Sequence, residues 1–255
     1  MKVSLALSGG AARGAFHLGV LQALDEKEFA IQAISASSIG AVIGTSYAAG
    51  VSPKEQLDIF NSKAFKKIFA FKGFTNGLFH VNQQRDILKK LIPISDIGQT
   101  SIKLHITTVD LSGGKIVRFD QGPAIMLCTA SSAVVPLFEP ISYEGYQLVD
   151  GGVMDNLPVS PLLEYGHPII GVDLHPLHQE KISGMARLLR RTLFLTWRAS
   201  LQAHLQACDL RISHPAISSY NLLSFKHFDS LFELGYEAAL QRLSKFPANP
   251  CEDQF

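Results

Sequence analysis

Apolar and polar positions change rhythm repeatedly along this chain. "KVSLAL" is a short apolar run of strand-forming residues, ended by Gly9-Gly10, and "ARGAFHLGVLQALDEK" then repeats its apolar positions at helical spacing. "FAIQAIS" predicts a second strand, and "SIGAVIGTSYAAG" a helix that stops at Gly50. The same rhythm returns in "KLHITTVD", in "GKIVRF" and in "HPIIGVDL" before a helical stretch over about 184–207. It appears last in "DLRISHP" before "HFDSLFELGYEAALQRL". Strands alternating with helices predict right-handed βαβ units. The expected fold is therefore α/β, a three-layer α/β/α sandwich with a mainly parallel central sheet. Ligands of such sheets bind beyond the carboxyl ends of the strands, where both the Gly9-Gly10 loop and the Ser37-Ser38 turn fall.

Composition narrows this picture. The 255 residues are 47% hydrophobic and 18% charged, enough to bury one large core and too apolar for disorder. With no low-complexity linker or repeat, residues 1–255 read as a single domain, and 51–99 as a stretch that could form a cap or lid. A net charge of +1 argues against a nucleic-acid partner. Cys128, Cys208 and Cys251 are widely spaced and form no C-x-x-C pair, as expected of a reducing compartment. Val3 to Leu7 is too short for a secretory signal, and no apolar run reaches the length of a membrane span, so a cytoplasmic location is expected.

Three stretches could carry chemistry. In "SASSIGA" two serines stand between a strand and a helix. A serine on so sharp a turn needs small residues two positions away on each side; Ser38 has Ala36 and Gly40, whereas Ser37 would have Ile39 at the crowded place. Close packing of helix on sheet would explain the small residues equally well. In "SGGAARG" the glycines leave backbone N–H groups open ahead of a helix N-terminus, which suits an anion or oxyanion. It is no nucleotide P-loop, because Ala15-Phe16 stand where Lys and Ser/Thr belong. In "YQLVDGGVMDNLPV" Asp150 ends an apolar strand ahead of two glycines, and its carboxylate could serve as a general base or simply make a turn.

Together the three resemble the patatin-like phospholipase family. "LALSGGAARGAFHLGVLQAL" is similar to its glycine-rich oxyanion segment, "SASSIGA" to its serine elbow, and "ASSAVVPLFEPISYEGYQLVDGGVMDNLPV" to the segment that carries its aspartate. The resemblance implies a Ser-Asp dyad, with Ser38 the nucleophile and Asp150 the base. Gly9, Gly10, Ala11 and Arg13 would form the oxyanion loop, and Ala36 and Gly40 would flank the elbow. Two positions depart from the pattern: Ala11 replaces the third loop glycine and Ala36 the first elbow glycine, though neither change removes an N–H. The implied activity is hydrolysis of phospholipid or lysophospholipid acyl esters, without cofactor. Soluble esters or thioesters, or a silent lipid-binding role, are the alternatives.

Histidines could add a third catalytic member, and His175, His178, His214 and His227 are placed late enough in the chain; His17 reads as a packed helix residue. Asp173, His175, His178 and Glu180 crowd together in "DLHPLHQE", but Pro176 breaks a helical presentation and no metal is expected. For a lipid surface, "SKAFKKIFAFKGF" predicts a basic amphipathic helix with Lys63, Lys66 and Lys67 on one side and Phe65, Ile68 and Phe69 on the other. It would meet an anionic membrane peripherally. "MARLLRRTLFLTWRASLQAHL" predicts a core-covering helix whose Trp197 and leucines face the sheet and whose arginines form a basic rim.

Overall fold

The predicted rhythm is realised in a computed structural model that describes residues 1–66, 69–71, 79–81, 86–199 and 201–246. The strands are β1 (Lys2–Leu7), β2 (Ala30–Ser37), β3 (Phe69–Phe71), β4 (Phe79–Val81), β5 (Lys103–Asp110), β6 (Lys115–Phe119), β7 (Ile141–Tyr143), β8 (Tyr146–Asp150), β9 (Ile169–Val172) and β10 (Leu210–Ile212). The helices are α1 (Ala15–Glu26), α2 (Ile39–Ala48), α3 (Pro53–Asn61), α4 (Lys63–Lys66), α5 (Asp86–Leu91), α6 (Ala124–Ser131), α7 (Met185–Ala199), α8 (Gln202–Gln206) and α9 (Phe228–Leu243).

The main sheet runs β10-β9-β1-β2-β5-β8-β7, with β6 also paired to β5. From β10 to β5 every pairing is parallel, while β6, β7 and β8 add antiparallel ladders at one end. Strand order reverses at β1, whose neighbours are β2 on one side and β9 on the other. A crevice opens beyond the carboxyl end of such a strand, and there β1 runs into the Gly9-Gly10 loop.

Alternation along β1 sorts the two faces. Val3, Leu5 and Leu7 enter the large core with Phe16, Leu18 and Leu21 of α1, while Ala6 faces a smaller cluster of Ala33, Leu157, Val159, Leu162, Leu201 and Leu205. On the large side α1 and α9 cross at Gly19 and Gly235. A Cβ on Gly19 would fall 1.9 Å from the Phe232 carbonyl oxygen, and one on Gly235 would fall 2.1 Å from that of Phe16. The helix-propensity cost of about 1 kcal/mol per glycine is thus set against backbone-to-backbone packing.

Two expectations about helices are corrected. The basic amphipathic helix does not run through 62–74: α4 ends at Lys66, and Phe69–Phe71 is a strand paired with Phe79–Val81. Phe65 is buried, with its ring edge-on to Phe60 at 4.8 Å, so core packing takes up this member of the apolar side assigned to a membrane; Ile68 lies outside the described residues. Lys63 is exposed. Lys67 lies outside the described residues, as do the side chains of Lys66 and Phe69. Phe60, Leu88, Leu91, Ile92 and Ile97, all within 51–99, belong to the same core as the sheet.

Helix α7 is the second correction. Its leucines face away from the sheet, whereas Trp197 packs against the smaller core cluster as expected and donates through Nε1 to the Gly152 carbonyl at 2.6 Å; beside it, Arg198 Nη2 donates to Asp173 Oδ2 at 2.6 Å. Among the described residues no helix is long and apolar enough to cross a membrane.

Candidate active site

Strand β2 delivers Ser37 and Ser38 to the crevice, and the chain turns at once into α2. Ser38 has φ 55° and ψ −128°, a backbone conformation costly for any side-chain-bearing residue, on the order of 1–3 kcal/mol. Close packing holds it there. A Cβ on Gly40 would lie 2.5 Å from the Leu7 carbonyl oxygen, so α2 can start this near β1 only with glycine at that position. Ala36 is buried and fits without a glycine. The Ser38 N–H donates to Ser131 Oγ at 2.8 Å, and Ser131 in turn donates to the Thr107 carbonyl at 2.7 Å. Helix α6 thereby pins the turn to β5.

The two serines have different partners. Ser37 Oγ donates to the Asp155 carbonyl at 2.6 Å and is fully buried. Ser38 Oγ donates to Asp150 Oδ2 at 2.6 Å. The other carboxylate oxygen of Asp150 accepts from the Gly152 N–H at 2.7 Å, which fixes the rotamer. Gly151 permits this geometry, because a Cβ there would fall 2.2 Å from the Thr107 carbonyl oxygen. Burial pushes the Asp150 carboxyl up to about 6, against the hydrogen bonds from Ser38 and Gly152 that favour its ionised form. It can therefore ionise near neutrality and accept a proton readily.

The glycine loop closes the other side. Gly9 lies so near Ser38 that a Cβ would come within 3.0 Å of the serine Cβ, but its N–H is already donated to the Asn156 carbonyl at 3.2 Å. The open donors are the next two: among the described residues, the N–H groups of Gly10 and Ala11 bond to no protein acceptor. Ala11 adopts φ 48°, a conformation that suits glycine better. The Arg13 guanidinium points away from the site. It donates to the carbonyls of Tyr220, Leu174 and Ser218 at 3.0–3.2 Å, bracing the loop from behind.

The histidines stand elsewhere. His17 is fully buried, bonded through Nε2 to the Ser8 carbonyl at 2.8 Å and pushed down to about 4 by burial. His175 bonds to the Gly9 carbonyl at 3.1 Å and meets Trp197 edge-on; burial, then the nearby Arg13 charge, lowers its pKa and keeps it neutral. His214 accepts from the Ala216 N–H, and His227 stacks on Tyr220. Among the described residues no histidine bonds to Ser38 or Asp150. Asp173, from the acidic-histidine stretch, is taken up by Arg198 and Arg211.

Two site residues carried no signal that the sequence reading used. Ser131 sits in a helix with nothing local to mark it. Asn156 is buried, and its carboxamide fills the gap between two loops: a Cβ on Gly9 or Gly152 would fall 2.5 or 2.6 Å from its Oδ1. Its Nδ2 has no hydrogen-bond partner among the described residues. The turn-forming "DNLP" two residues beyond D-G-G was the available hint.

Comparisons with known proteins give the family and the fold. The family model described as patatin-like phospholipase matches residues 5–163. An uncharacterized NTE family protein of Mycobacterium tuberculosis is 33% identical over 168 residues, covering 63% of this chain and 45% of that one. Lysophospholipase NTE1 of Mycosarcoma maydis is 26% identical over 97% of this chain, but that is 15% of its own length. The chain thus spans less than half of these curated relatives. Among solved structures, VipD of Legionella pneumophila aligns over 96% of this chain and 67% of its own with a TM-score of 0.58 at 13% identity, a likeness of fold.

Proposed function

Because the chain belongs to the patatin-like phospholipase family, we propose that it is a serine acyl hydrolase cleaving acyl esters of phospholipids or lysophospholipids through a Ser38-Asp150 dyad. The observation that carries this reading is the 2.6 Å hydrogen bond from Ser38 Oγ to Asp150 Oδ2 on a strained strand-to-helix turn. As Oγ attacks the ester carbonyl carbon, its proton passes to Asp150. The tetrahedral oxyanion is held by the open N–H groups of Gly10 and Ala11 at the start of the first helical turn. Asp150 then protonates the departing alcohol. A water molecule next gives Asp150 a proton while its oxygen attacks the acyl carbon, and Ser38 recovers its hydrogen as the fatty acid leaves.

Ala11 and Ala36 both retain the backbone groups this scheme uses. A soluble ester or thioester would undergo the same chemistry, with only the acyl pocket deciding between substrates. The test is labelling with a fluorophosphonate ester mimic in detergent micelles, followed by peptide mass spectrometry, with an adduct expected on Ser38. Ser38→Ala should lower ester turnover at least about a thousandfold. Ser37→Ala should keep most of it, because that hydroxyl is engaged by Asp155. Equal losses in the two variants, or an adduct on another residue, would overturn the assignment.

A further inference from the structure

Helix α7 wears its apolar side outward. At 100° per residue, Met185, Leu188, Leu189, Leu193 and Leu195 fall within an arc of about 160°, and each is between 45 and 80% exposed. The two threonines in that arc do not make it polar: Thr196 Oγ1 donates back to the Thr192 carbonyl at 3.0 Å, so one hydroxyl is satisfied within the helix. The inward arc mixes polar anchors with Phe194 and Trp197, which are partly buried, Trp197 against the smaller core cluster. Arg191 donates to the His178 carbonyl at 2.8 Å, Arg198 is buried against Asp173, and Trp197 reaches Gly152. Folding has therefore left the stripe a soluble domain would normally bury facing solvent.

The stripe continues toward the site. Trp197, at the end of α7, joins the loop of Asp150 through Gly152 and the oxyanion loop through His175. Further exposed apolar pairs stand on the loops that frame the catalytic residues. Val153 and Met154 follow Gly152. Leu222 and Leu223 adjoin the oxyanion loop, since the Leu222 carbonyl accepts the Ala12 N–H. Val134 and Val135 follow Ala133, whose carbonyl accepts the Asp150 N–H.

Charge identifies the occupant. From Lys181 to Cys208 the chain has no Asp or Glu, while it carries Lys181, Arg187, Arg190, Arg191 and Arg198. Arg190 flanks the apolar arc with its side chain 67% exposed and pairs with Glu180 at 3.3 Å, while Lys181 and Arg187 are exposed with no ion pair among the described residues. Two copies meeting through this face would oppose like charges, whereas anionic headgroups would meet cations beside buried acyl chains. We propose that the outward face of α7 is a docking surface that seats on an anionic phospholipid membrane and brings the opening above Ser38 to it. This deepens the hydrolase reading and rests on it only for what happens after docking.

The test is flotation of the full chain with vesicles of phosphatidylcholine containing a minority of phosphatidylglycerol, beside turnover of a water-soluble short-chain ester. Wild type should bind, and more weakly at high salt. Leu189→Glu/Leu193→Glu should weaken binding at least about tenfold, with circular dichroism and soluble-ester turnover unchanged; Leu189→Ala/Leu193→Ala should give a smaller loss in the same direction. Vesicle binding equal to wild type in both variants would overturn the proposal. So would a concentration-dependent dimer that the glutamates abolish while vesicle binding persists, since the face would then be covered by a second copy. Ser38→Ala should bind vesicles as wild type does. Binding that depends on α7 in a wild-type protein that hydrolyses no ester would uphold the docking surface and refute the hydrolase reading, so the two fail separately.

Discussion

The crossing of α1 with α9 and the seating of α7 are built on opposite principles. At the crossing, Gly19 and Gly235 remove side chains so that two helix backbones touch, and the surrounding leucines and phenylalanines are sealed away from water. Helix α7, by contrast, keeps its methionine and leucines in solvent and is held by a partly buried tryptophan, whose indole N–H bonds to Gly152, and by two arginines, one of them paired with Asp173. The first arrangement maximises stability, whereas the second leaves the apolar area next to the catalytic loops unspent. Two parts of the chain thus divide the tasks of holding the fold and presenting a surface.

The sharpest way to break this contrast is to give the crossing a side chain. Gly235→Val would drive atoms into the Phe16 carbonyl and force the helices apart; a loss of about 3 kcal/mol or more is expected in urea unfolding, and a loss under 1 kcal/mol would mean that the contact is not tight. Asp150 comes next. Its carboxyl is pushed up to about 6 by burial, so between the ordinary carboxylate range near pH 4 and pH 6 the folded state binds more protons than the unfolded one. Stability contributed at this site therefore falls as pH rises through that window. Asp150→Asn should be no more stable than wild type below pH 4, but more stable above pH 6 by on the order of 1–3 kcal/mol, with ester turnover lost. A variant stabilised equally at all pH values would refute that cause. Smallest of all, Leu188→Ser on α7 should change unfolding free energy by about 0.5 kcal/mol or less; a large loss would show that the leucine packs on the body after all.

Much of the site was legible because tight turns impose local demands. Gly9, Gly10, Ser38, Gly40, Asp150 and Gly151 occupy places where backbones nearly touch, and small residues at fixed spacing reveal such places. What could not be read locally was direction. The α7 pattern defines an apolar face and a basic face, and only Asp173, Gly152 and His178, distant in sequence or outside the pattern, decide which of them turns inward. The stretch "KAFKKIF" had the same ambiguity, resolved at Phe65, whose ring packs edge-on against Phe60, itself in contact with Phe228. Ser131 and Asn156 act through contacts made only once β5, α6 and the loop after β8 are assembled. Gly9 was recognised as part of the loop, but its N–H is diverted to Asn156, so the open donors lie one and two residues later.

The diversion of the Ser38 amide to Ser131 has a geometric consequence. With that N–H occupied, the amides near Ser38 that bond to no protein acceptor among the described residues are those of Gly10 and Ala11 in the glycine loop and those of Ile39 and Gly40 just past the serine. On the proposed mechanism, the negative oxygen of an acyl group attacked by Ser38 points toward these amides while the departing group lies toward Asp150. Nucleophile, oxyanion and leaving group define three directions that cannot be exchanged without losing one set of contacts. The pocket is consequently handed, and of the two mirror forms of a chiral phosphonate, one should fit the attack geometry and the other should not.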